Sequence, residues 1–236
     1  MIALGICSKQ ESASSRYANW LFKDQSFFGL KIFSRGNLSL SLKGTYKSLR
    51  VKAEKKLNVD LLNFENLKPS RLQGDEVYLE ASSQTNSSSS LKIHGNRLVK
   101  IDEGAHLSFE DLFITSDSCI ENSAFLHCSQ IFYCKARRLK NYPTSCVSSI
   151  IYRVEAILEE SDKKPPKYEE HGSVITDYFL VHTDSLYVDA LANISFTSPL
   201  YLKFLVTNSF VFSTSSVVQS ISVLIPGSEL LLIALN

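Results

Sequence analysis

Cys119, His127, Cys128, Cys134 and Cys146 are the one grouping of soft metal ligands in the chain. A zinc ion takes four thiolates or imidazoles in a tetrahedron, and structural sites usually supply them in close pairs such as Cys-x2-Cys. Here seven, none, five and eleven residues intervene, so no such pair is made. On a strand, the adjacent His127 and Cys128 point to opposite faces and do not join one site. The thiols read instead as small buried hydrophobes, with a Cys128–Cys134 disulfide as the lesser alternative. With Cys7 the cysteines number five, so at least one has no partner within the chain. No metal site and no cofactor are expected.

Nucleophilic catalysis needs Ser or Cys beside His, with a third group orienting the ring. No Gly-x-Ser-x-Gly elbow is present, and no Gly-rich phosphate loop. Paired acids occur at Asp102-Glu103, Glu110-Asp111, Glu159-Glu160 and Glu169-Glu170. Each reads as a solvated turn rather than a general acid and base. A hydrolase using Asp102, Glu110 and His106 on a carbohydrate or ester is kept as an alternative function. No residue is assigned a catalytic role.

Two stretches are dense in positive charge. The first holds Lys43, Lys47, Arg50, Lys52, Lys55 and Lys56, the second Lys135, Arg137, Arg138 and Lys140. Either suits phosphates or anionic lipid. A sharp drop in binding with added salt would support a nucleic-acid role, the other alternative. Alternating signs on a strand face would leave them as solubilising charge. The formal net charge of +1 excludes a generally basic or acidic chain. Lys52, Lys55, Lys56, Arg137, Arg138, Tyr142 and Tyr168 are the candidate interaction residues, the two tyrosines being assigned to exposed loops.

The elements that carry these residues are strands. The chain has 236 residues, 44% of them hydrophobic, enough for a sizeable core. Leu38, Leu40 and Leu42 alternate with serines, and Leu49, Val51 and Ala53 with Arg50 and Lys52. An amphipathic helix over 46–64 competes, but Val51 and Val59 fall off its stripe. Residues 8–26, around Trp20, read equally as a short helix or an irregular lead-in. The run SSQTNSSSS at 82–90 has nothing apolar to bury and reads as a mobile loop or a wide surface turn. From 91 to 134 the strands are short and the corners polar.

The fold expected is all-β, with antiparallel or mixed sandwich-like sheets. A short β-solenoid in the central region is the alternative, disfavoured because no single period fits the chain. The organisation expected is a β-rich domain at 1–158, a charged Pro-containing loop at 159–170, and a C-terminal β segment at 171–236 packed on the same core. The apolar stretch 220–235 is interrupted by Pro226, Gly227 and Glu229 and reads as a buried strand pair, not a membrane span. The N-terminus lacks the basic flank of a signal peptide, so a cytoplasmic or other reducing compartment is expected. These readings converge on a non-catalytic interaction or assembly module. A protein partner or self-association is the expected mode, within a larger complex or as a viral structural or accessory component.

Overall fold

The computed structural model describes residues 2–5, 19–22, 25–157, 166–189, 191–212 and 230–232, with side-chain packing described for 29–157, 166–189, 191–195 and 206. No helix occurs among the described residues. The chain winds into a β-solenoid of about eight turns in which successive turns pair in parallel. Among the described residues, only the short Leu230–Leu232 strand runs antiparallel, against Asn193–Phe212. The antiparallel or mixed sandwich expected from the sequence is therefore overturned. The coil runs through the described chain rather than only its central region.

One turn shows the plan. Cys119–Asn122 forms a first side. Phe125–Lys135 follows, and a register break between Cys128 and Ile131 divides it into a second side, 125–128, and a third, 131–135. The register on the third side then stacks Ile32, Val51, Leu72, Ile93, Ile114, Cys134, Val154, Val181 and Phe204 in one column. The intervals are 19, 21, 21, 21, 20, 20, 27 and 23 residues, which is why no fixed period fits.

Each turn is too thin to bury its own apolar face, so the core exists only between stacked turns. Alternation along each strand sends every second side chain inward. Leu49, Leu91, Leu112, Phe132, Tyr152 and Phe179 are all fully or almost fully buried. Phe132, Tyr152 and Phe179 stack at 5.1 and 5.0 Å between centroids. Full burial of each such side chain is worth about 1.5–3 kcal/mol.

Small residues turn the corners. Ser34, Ala53, Gly74, Gly95, Ser116, Ala136, Ala156 and Thr183 close the third side and are all buried. Ser83, Ala105, Ala124, Ser145, Gly172 and Ala192 open the second, and the carbonyl of each of the first five accepts an N–H from the residue after the next corner residue. This bonding carries the ladder around the bend.

The serine-rich segment is also built into the coil, not a mobile loop. Ser83, Ser87, Ser89 and Ser90 are buried. Ser83 Oγ accepts the Leu61 N–H at 3.1 Å, and Ser87 Oγ accepts the Asn66 N–H at 3.1 Å. The hydroxyls thus replace neighbouring carbonyls where the ladder is interrupted. Ser87→Ala is expected to cost about 1–3 kcal/mol in chemical denaturation, because it strands the Asn66 N–H.

The boundary drawn at 159–170 is corrected in part. Lys167–Glu170 is a strand of the first side, and Tyr168 and Glu170 are fully buried. Residues 158–165 lie outside the described residues. Val154 still pairs with Val181, so the same sheet continues past the insertion. The helix considered at 46–64 is replaced by Leu38–Ala53 and Lys56–Asn66. Of 8–26, Asn19–Phe22 is a strand paired with Leu38–Ala53; most of the rest, like most of 220–235, lies outside the described residues. No helix among them is long and apolar enough to cross a membrane.

Candidate functional site

The soft-ligand cluster does not converge. His127 is exposed and Cys128 buried, on opposite faces of one strand. Cys119, Cys128, Cys134 and Cys146 are free thiols. Burial pushes the Cys128 thiol up to about 12, and raises Cys119, Cys134 and Cys146 as well. Thiolates, the reactive form, are thus disfavoured. Asp102 is paired with Lys100 at 3.2 Å, Glu110 is exposed, and His106 lies against Phe125 with centroids 5.5 Å apart. No hydrogen bond joins these three among the described residues.

A polar knot sits inside the coil. On the first side the inward column runs Ile101, Asn122, Asn141, Glu170 and Val188. Asn141 Nδ2 donates to Tyr152 Oη at 2.9 Å and to Glu170 Oε2 at 2.7 Å. The Tyr168 hydroxyl donates to Glu170 Oε2, and Gly172 N–H donates to Glu170 Oε1 at 2.9 Å. Burial raises the Glu170 carboxyl above the usual range despite these donors. It also lifts the Tyr152 and Tyr168 hydroxyls well above theirs. These residues are 0–2% exposed, so they face each other and not a ligand.

A raised carboxyl makes the folded state hold its proton more tightly than the unfolded chain does. Its contribution to stability is full below the unfolded value and is lost as pH rises through the folded one. Glu170→Gln has no such proton to lose. Melts from pH 4 to 8 should therefore move in favour of the Gln variant as pH rises.

The outward columns separate the two basic stretches. On the first side, Tyr78, Lys100, Glu121, Lys140, Glu169 and Tyr187 stand in register. Their charges alternate. Lys140 Nζ lies 3.8 Å from Glu169, and Lys167 Nζ 2.7 Å from it. Burial pushes the Glu169 carboxyl up, but hydrogen bonds from Lys167 and His171 and the nearby lysine charges outweigh it and hold it below the usual range. Arg138 belongs to this side, in register with Cys119 and Lys167. Arg137 at its corner is partnered, and Tyr142 lies under Lys140 Nζ at 4.6 Å. Tyr168, assigned to an exposed loop from the sequence, is buried and is withdrawn as a surface contact.

The third side differs. Lys31, Arg50, Arg71 and Lys92 occupy one outward column on four consecutive turns, all exposed. Beside them Phe33, Lys52, Gln73 and His94 form the next outward column. Lys31, Phe33, Arg50, Lys52, Arg71 and Lys92 line an open groove of about 580 Å³ whose walls include no acidic residue. None of these five cations forms an ion pair among the described residues. Lys55 lies at the corner beyond the groove, and Lys56 on the first side caps the Tyr78 ring at 4.0 Å. The column ends where Lys92 meets Phe113, with Nζ 5.2 Å from the ring.

Of this set the sequence reading singled out Lys52 as a site and Arg50 as part of a basic stretch, and missed Lys31, Arg71 and Lys92. The signal that finds them is a five-residue unit: LKIFS at 30–34, LRVKA at 49–53, SRLQG at 70–74 and LKIHG at 91–95. Its second position is the cation and its last the small corner residue. Compared with protein-family models, curated protein sequences and solved structures, the chain matches none.

Proposed function

We propose that the chain is a non-catalytic interaction module that engages an anionic partner along the third side of the coil. The observation that carries this reading is the stack of four cations with no acid among them. Like charges directly opposite on adjacent strands destabilise a sheet by a few tenths to about 1 kcal/mol per pair. On the first side the column through Lys100, Glu121, Lys140 and Glu169 avoids that cost by alternating its signs, and only Arg138 opposite Lys167 repeats a charge; the third side carries it over four turns. A ligand that supplies the missing negative charge would recover it. The coil acts as a rigid support that sets the spacing of the cations.

Arg71→Glu separates folding from binding. It should stabilise the fold at low salt by about 0.5 kcal/mol, seen as a higher thermal midpoint, because it breaks the like-charge stack. It should also abolish binding of inorganic polyphosphate, measured by calorimetry. For the unsubstituted protein, log K should fall with log salt at a slope of about 3, as for four neutralised charges on a flexible strand. Undiminished polyphosphate binding by the variant would overturn the reading.

A further inference from the structure

We infer that the cation column on the third side binds a linear acidic polysaccharide laid along the coil axis, with one carboxylated or sulfated sugar per turn. This rests on the reading that the face takes an anion, and it names the class of anion. Adjacent strands lie about 4.8 Å apart, so the four cations form a straight row about 14 Å long. A straight row suits a chain rather than a planar lipid surface. An extended glycan advances by one compact ring per unit, on the scale of one strand spacing. An acidic peptide repeats its same-face side chains about every 6.8 Å and falls out of step before the fourth cation. Duplex phosphates wind away from a straight row.

The surroundings point the same way. Single-stranded nucleic acid is held by aromatic platforms on which bases stack. The rings that continue this column are engaged: Lys92 lies over Phe113 and Arg153 over Tyr133, whose hydroxyl donates to Glu155 at 3.0 Å. The neighbouring outward column instead offers Gln73 and His94, hydrogen-bonding groups suited to sugar hydroxyls, with His94 Nδ1 held by Thr115 Oγ1 at 2.9 Å. Phe33, 40% exposed and the one aromatic among the residues lining the groove, presents an apolar ring to the C–H face of a sugar but gives successive bases no second platform.

The test is calorimetric titration of the full chain with heparin-derived di-, tetra- and octasaccharides, a short oligo-dT strand and an oligoglutamate peptide. Affinity should climb from the di- to the tetrasaccharide and then level off, since four turns carry cations. The tetrasaccharide should bind at least about tenfold more tightly than the oligo-dT or the peptide, a difference of about 1.4 kcal/mol. Arg50→Ser/Arg71→Ser and, separately, Lys31→Gln/Lys92→Gln should each lose about tenfold or more in affinity, with thermal melts confirming folding. Lys100→Gln/Lys140→Gln, on the alternating side, should bind within about twofold of the unsubstituted protein. Tighter binding of oligo-dT or peptide, lost in the same variants, would overturn the glycan assignment and leave the anion-binding reading standing. Glycan binding unaffected by both column pairs would overturn the site. Failure of every probe, polyphosphate included, would overturn both readings.

Discussion

Gly95→Ala should destabilise the protein by about 3 kcal/mol in urea denaturation, at the upper end of ordinary overpacking costs. A Cβ at Gly95 would overlap the Leu98 carbonyl oxygen and stand 2.9 Å from both the Leu98 carbonyl carbon and Val99 Cγ2. Two of these atoms are backbone, and Leu98 is tied in register between Glu76 and Cys119, so it cannot simply yield. Gly74, paired with Gly95 one turn earlier, has a milder version of the same constraint, with Glu76 O at 2.9 Å from an added Cβ. Gly74→Ala should therefore cost less than Gly95→Ala. Equal, small losses at both positions would mean that the corner is looser than this geometry.

Tyr168→Ala should be as damaging, at about 3–5 kcal/mol, because it empties a fully enclosed volume and strips a donor from Glu170. Tyr168→Phe keeps the volume and isolates the polar part. It should cost about 1–3 kcal/mol, the price of leaving a buried acceptor short of a donor. The difference between the two variants in the same denaturation experiment measures packing against hydrogen bonding. A Phe variant as stable as the parent would show that Asn141 and Gly172 alone satisfy the carboxyl.

Much of the strand content was legible because alternation is a local property: Leu38, Leu40 and Leu42 point one way whatever they pair with. Pairing partners were not legible by the same logic. Alternating strands suit hairpins and coils equally, and the intervals between stacked residues drift from 19 to 27. Asn122, Asn141 and Glu170 further disguise the inward column, since their types read as surface or turn. Tyr168 was misplaced for a related reason. It follows Pro165-Pro166 and precedes two acids, and only the stacked turns reveal that Glu170 points inward. The cation column escaped because its members are about twenty residues apart. A search for local charge density finds Arg50 with Lys52, but not Arg50 with Arg71.

The five-residue unit also bears on how such a chain can change over generations. Its first, third and fifth positions face the interior and the corner, so substitutions there are constrained by the turns above and below. Its second position faces solvent. The same unit carries Lys or Arg in four turns, then Phe113, Tyr133, Arg153 and Leu180, on one continuous coil. The chemistry of this outward face can thus drift one turn at a time, without refolding, under selection separate from that which keeps the core intact.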